Sequence, residues 1–296
     1  MKKRLNLDAL FWSSLILIAS QAFTLYVAFR EKDFVEANRI TSPQISLELP
    51  LVYFFGVVAL LGVILFLVPV AKLRIVFRIL FTFLFCWGMF IALGLSLPMP
   101  VASIISLAGG LMWLLSPRVW LHNLLMIFAL VSVGSVFGFL ISPWTAIAFM
   151  LVISIYDILA VRFRYMLWLA EKLSQSDTLP AFIIPRRISD WNLSLKEAGF
   201  KKLFQDRLPE REFSILGGGD IGFPLMLVVA VFFACGFTGS VIVAVFSLLG
   251  LVSAYWIQIF ILKGKPMPAL PPISLVSLIG FLIQYFILNN HLFVIQ

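Results

Sequence analysis

Charge is scarce in this sequence. Only 12% of its 296 residues are Asp, Glu, Lys or Arg, and 62% are hydrophobic. A soluble domain carries roughly 25% charged residues, so this chain cannot cover itself with a polar surface, and a soluble globular, disordered or collagen-like protein is excluded. The two cysteines, Cys86 and Cys235, each lie inside an apolar run, which argues against a disulfide framework. Histidine occurs only at His122 and His291, with no HExxH helix, which argues against a zinc-dependent membrane protease; no GxSxG or Walker A run occurs either. The apolar runs do not alternate in polarity, which rules out an outer-membrane barrel. No cofactor and no metal site is expected. The net charge of +8 reports topology in a membrane protein rather than a nucleic-acid partner.

What is present is a series of long apolar runs, the mark of an all-α membrane protein. Nine candidate spans can be read: Ala9–Phe29, Leu51–Val70, Leu73–Leu97, Val101–Leu115, Val119–Ile141, Trp144–Val161, Ser214–Phe237, Ser240–Leu262 and Ile273–Leu288. The fourth is short and opens at Pro98-Met99-Pro100. Lys2, Lys3 and Arg4 ahead of the first run resemble a signal peptide. The run is long for an h-region, however, and its cleavage pattern is poor, so a retained anchor is expected. Placing the N-terminus in the cytoplasm puts 19 of the 22 Lys and Arg on the inner side, as the positive-inside rule requires. The expected organisation is therefore helices 1–6 over residues 1–161, a cytoplasmic linker over 162–213, and helices 7–9 over 214–296. The C-terminus then lies outside the cytoplasm, and the cell membrane is the expected location. The linker reads as solvated or lying on the membrane surface, with an amphipathic stretch at Leu193–Phe204.

Of 14 acidic residues, Asp8 marks the edge of the first run and eleven fall in loops or the linker, leaving Asp157 and Asp220 inside spans. An ionised carboxylate there costs at least about 2.5–3.5 kcal/mol on insertion scales, so each is a functional residue by default. Asp157 lies five residues before Arg162, about 7.5 Å of helix from the cytoplasmic end. Asp220 lies eight residues after Glu212, near the start of the seventh span. The two acids therefore occupy similar depths on antiparallel neighbours and can meet. Two touching carboxylates in a low-dielectric site share one proton. One can then activate a water while the other polarises a carbonyl, which is the chemistry of aspartyl peptide hydrolysis. A proton relay in a proton-coupled transporter would use the same pair. Such a transporter of the inverted-repeat kind should show paired broken helices, and none is seen. A protonated pair that merely holds two helices together is the plainer alternative, and a catalytically dead scaffold is a third, against which the presence of both acids speaks.

Two more features bear on the choice. Gly217, Gly218 and Gly219 precede Asp220, and Gly222 follows it; glycines remove side chains beside the acid and permit close approach of another backbone, although small residues also serve plain helix packing. Lys265-Pro266-Met267-Pro268-Ala269-Leu270-Pro271-Pro272 holds four prolines and should be extended. Extended backbone at membrane depth survives only when buried in protein or lining a wet cavity.

The pair Tyr156-Asp157, the GxGD motif Gly217-Gly218-Gly219-Asp220 and Pro268-Ala269-Leu270, in that order and on those spans, resemble the presenilin and signal peptide peptidase family of intramembrane aspartyl proteases. The compact chain, with a plain Gly218 at the motif's variable position, is similar to prokaryotic, archaeal members. The resemblance implies a nine-span presenilin-like fold with Asp157 and Asp220 as the catalytic pair. Tyr156, the three glycines and Pro268-Ala269-Leu270 would then position substrate. It also implies transmembrane helices of other membrane proteins as substrates and the bilayer as surroundings. A homo-oligomer is compatible with the sequence.

Overall fold

A computed structural model of the protein describes residues 7–165, 168–169, 173, 178–195, 213–262 and 267–292. The chain is helical: α1 (Leu7–Ala37), α2 (Glu48–Leu67), α3 (Val70–Gly94), α4 (Met99–Leu115), α5 (Val119–Leu140), α6 (Pro143–Arg162), α7 (Gly218–Trp256) and α8 (Leu270–Leu292). A small antiparallel sheet joins β1 (Ala181–Pro185) to β2 (Phe213–Gly217), in the register Ala181 opposite Gly217 and Pro185 opposite Phe213. Among the described residues six helices are long and apolar enough to cross a membrane, and α4 and α8 are shorter apolar helices.

Prolines set several boundaries. Pro69 and Pro98 sit at the N-caps of α3 and α4, with Pro100 in the first turn of α4, where a missing N–H costs nothing. The expected seventh and eighth spans form one element, α7. It is interrupted at Gly236, whose φ of 80° and ψ of −175° are non-helical and suit glycine alone. A π-helical turn, Ile257–Ile261, follows α7.

Three expectations are corrected. Residues 214–217 form β2 rather than the start of a helix, which begins at Gly218. The segment 162–213 contains a strand, β1, whose five residues are all buried. Prolines at 180 and 185 bracket the apolar run Ala181-Phe182-Ile183-Ile184 and give it a strand's length rather than a helix's. Third, α1 continues past Phe29 to Ala37, so Glu31 is helical, not in a loop. Most of Leu193–Phe204 lies outside the described residues.

The chain divides into two compact units. The first comprises residues 1–13, 50–130 and 160–218. Its helices meet at glycines: a Cβ on Gly110 would fall on Cys86 Sγ, and one on Gly88 would lie 2.6 Å from Ala129 Cα. Phe85, Trp113 and His122 pack ring against ring, and Leu65, Phe77 and Leu173 form a second cluster. The sheet belongs to this unit.

The second unit comprises residues 14–49, 131–159 and 219–296. Gln21 ties α1 to α7, donating to Ala244 O at 3.0 Å and Ser247 Oγ at 2.6 Å. Gly134 and Gly138 on α5 let Leu225 and Val229 of α7 approach closely, and Gly250 of α7 receives Ile273 of α8. Ser135 of α5 donates a hydrogen bond to the Glu31 carboxylate.

Candidate active site

Asp157 lies on α6 and is only 8% exposed. Its carboxylate accepts a hydrogen bond from the backbone N–H of Leu270. That donor is available because the first four N–H groups of a helix have no partner within it, and Leu270 opens α8. The helix dipole adds a favourable interaction with negative charge at that end. Asp220 has a parallel setting: it is the third residue of α7, in the first turn, and is half-buried. Each acid thus meets the N-terminal end of a helix. Both belong to the second unit, as does Leu270.

The proline motif needs a correction. Pro268 and Ala269 are non-helical, as expected, but Leu270 is helical and buried, and Pro271 and Pro272 lie within the first turn of α8. Proline is tolerated there because the N–H it lacks would be unpaired anyway. The Ile273 N–H bonds the Ala269 carbonyl at 3.4 Å, so the motif ends by being drawn into the helix.

The glycines fall into three environments. Gly217 is the last residue of β2, opposite Ala181. Gly218 is buried and its N–H donates to Pro180 O at 3.0 Å; a Cβ there would lie 2.8 Å from that oxygen. Gly219 is exposed, and a Cβ on it would meet only the ring of Phe223, at 3.0 Å. The two first glycines belong to the first unit, and Gly219 and Asp220 to the second. Tyr156, beside Asp157, is half-buried.

Sequence reasoning passed over four buried polar residues. Ser154 and Ser274 are buried and bonded to each other; Ser154 precedes Asp157 by three positions, a signal available in the sequence. His122 and Asn123, inside an apolar run, both bond β1. Among the described residues, no three His, Cys, Asp or Glu side chains gather as ligands for a metal ion.

The sequence matches the family model described as signal-peptide peptidase, presenilin aspartyl protease, over residues 13–289. The chain belongs to this family. Signal-peptide peptidases and presenilins are aspartyl proteases of the membrane, and the protein is accordingly an intramembrane aspartyl protease, a hydrolase. Its fold is similar to that of a presenilin family intramembrane aspartate protease solved in two crystal forms. In the C222 form the TM-score is 0.60 at 18% identity, covering 93% of this chain and 96% of that one. In the P2 form it is 0.57 at 20% identity, covering 92% and 95%. None of the curated proteins matches the sequence significantly.

Proposed function

We propose that Asp157 and Asp220 are the catalytic pair and that they hydrolyse peptide bonds within transmembrane segments of other proteins. The hydrogen bond from Leu270 N–H to Asp157 supports this most directly, because it joins the proline motif to the first acid. Two carboxylates with one proton between them can divide the work. The ionised member takes a proton from water as the water oxygen bonds the scissile carbonyl carbon. The protonated member gives its proton to the carbonyl oxygen. The resulting diol collapses as a proton passes to the amide nitrogen and the C–N bond breaks. Neither a metal nor a covalent intermediate is needed for this balance.

The substrate is held as a strand. A membrane helix keeps its amides within its own hydrogen bonds, so it must unwind before a carbonyl can be attacked. The unwound backbone then needs partners, which strand addition supplies. Ile215 and Gly217 on β2, at positions whose backbone groups point away from β1, offer such an edge immediately before Asp220 in the chain.

The chain crosses the membrane nine times, with the N-terminus in the cytoplasm and the C-terminus outside. The 44-residue apolar stretch Gly218–Ile261 is about 66 Å of helix, enough for two passes through a core of roughly 30 Å, and Gly236 supplies the break between them. The Lys and Arg asymmetry sets the orientation.

The test is cleavage of a reporter transmembrane helix by the purified protein in lipid. Wild type should cut within the apolar segment. Asp157→Asn and Asp220→Asn should each fall below about a tenth of wild-type activity while folding normally, since the pair acts as a unit. Either variant retaining more than that overturns the shared-proton mechanism.

A further inference from the structure

His122 is fully buried and Asn123 is 3% exposed, at consecutive positions of an apolar helix. Buried polar side chains are costly unless paired, and both pair with β1. Asn123 Oδ1 accepts from the Ile183 N–H at 3.0 Å, and Asn123 Nδ2 donates to the Ile183 carbonyl at 2.6 Å. One side-chain amide thus makes both bonds that a neighbouring strand would make to that residue. Two positions earlier, His122 Nε2–H donates to the Ala181 carbonyl at 3.0 Å.

Residues two apart on a strand present their backbone groups to the same edge. Ala181 and Ile183 therefore face α5, and the bonds to β2 run through Phe182 and Ile184, opposite Leu216 and Ser214. The Gly218 N–H to Pro180 O bond continues the same phase. The start of α5 also grips the chain beyond β1. Val119 N–H bonds Leu193 O at 3.1 Å, Leu195 N–H bonds Pro117 O at 2.9 Å, and Arg118 Nη1 donates to Asn192 Oδ1 at 2.7 Å. Residues 117–123 thus hold the sheet segment at two places.

We propose that Asn123, assisted by His122, is a positioning residue: it seals the outer edge of β1 and fixes the register of β1 on β2. Register matters because β2 runs directly into Gly218-Gly219-Asp220. With β1 closed, an incoming strand has β2 alone to join. A slip of β2 by two residues would preserve which face is buried while moving the seat of the scissile bond. The effect on substrate rests on the strand-binding reading above; the anchoring of the sheet does not.

The experiment compares wild type, Asn123→Leu and Asn123→Ser in lipid, by amide hydrogen exchange and by reporter cleavage with mass analysis of the product ends. Leucine has nearly the same shape and makes neither bond; the serine hydroxyl can satisfy only one of the two Ile183 groups. Exchange over residues 181–185 and 213–218 should quicken at least tenfold in Asn123→Leu, with a smaller change in Asn123→Ser and none over α3. KM should rise and product ends should spread by two residues around the wild-type site. A purely structural role would lower the active fraction yet leave KM and the product ends unchanged, and that result overturns the proposal. Unchanged exchange over 213–218 overturns it as well. If Asn123→Leu does not accumulate, Asn123→Ser is judged by the same two criteria. A wild-type protein that cuts no reporter would sink the strand-binding reading, and the exchange measurement would still decide whether Asn123 anchors the sheet.

Discussion

Ser154 Oγ lies 2.7 Å from Ser274 Oγ, a buried polar bridge between α6 and α8. It sits one turn from the contact between Asp157 and Leu270. One hydroxyl donates across the bridge while the other donates to a carbonyl of its own helix, Ser154 to Met150 or Ser274 to Pro271. The bridge therefore fixes the two helices together where the acid meets its donor. Ser154→Ala should cost about 0.5–1.5 kcal/mol of stability. It should also lower kcat several-fold at little change in KM, read from a melting curve in detergent and steady-state cleavage. Unchanged kcat would show that the bridge plays no part in setting the acid.

The Leu270 N–H can be removed without breaking α8, because proline is tolerated at a helix start. Leu270→Pro deletes the bond to Asp157, whereas Leu270→Ala loses apolar contact and keeps the donor. Losing one charge-assisted bond should cost about 1.5–3 kcal/mol, a rate loss of roughly ten- to hundredfold if it acts in the transition state. The proline variant should accordingly be the slower of the two per folded molecule. The opposite order would mean that the side chain, not the amide, matters.

Gly218 has no room for a side chain. In Gly218→Ala the new methyl meets Pro180 O at 2.8 Å and Met126 Cε at 3.1 Å, so β1 or β2 must shift. Overpacking of this kind costs typically about 1–3 kcal/mol, and cleavage should fall with it. Gly219→Ala meets only the movable ring of Phe223 and should be much milder. Melting temperatures and relative turnover of the two variants check the order.

Gly236 differs in kind. Nothing lies within 4 Å of a Cβ built there, yet its φ of 80° is one that other residues rarely adopt. Gly236→Ala should destabilise by about 1–3 kcal/mol through backbone strain alone. An unchanged melting temperature would show that the break relaxes without cost.

Much of this molecule was legible in its residues, for identifiable reasons. Long apolar runs announce helices because the membrane admits few alternatives, hence the helices; an acid within such a run stands out by its cost, which is why Asp157 and Asp220 are the proposed pair. The sheet was hidden because Phe213-Ser214-Ile215-Leu216-Gly217 adjoins the apolar run of α7 with no change in composition. β1 was hidden because its four apolar residues lie in a segment otherwise rich in charge. The proline motif was half right: proline excludes helix interiors but not helix starts, so Leu270 could open α8. Asn123 carried no pattern of its own, since one polar residue in an apolar helix acquires meaning only when its partner, Ile183, is known.

The length of α1 has a consequence for the molecule's place in the bilayer. Its 31 residues make about 46 Å of helix, well beyond the roughly 30 Å hydrocarbon core. The surplus carries Arg30, Glu31, Lys32, Asp33 and Glu36, with ion pairs between Arg30 and Asp33 and between Lys32 and Glu36. Such a polar collar cannot sink into lipid, so it acts as a float line. Through Glu31 and Ser135 it levels α5 as well as α1. In a bilayer thinner or thicker than the apolar length, these helices must tilt or the lipid must deform around them, because sliding would drown the collar. Membrane thickness thereby becomes a mechanical load on the unit that carries both acids, applied from the C-terminal end of α1.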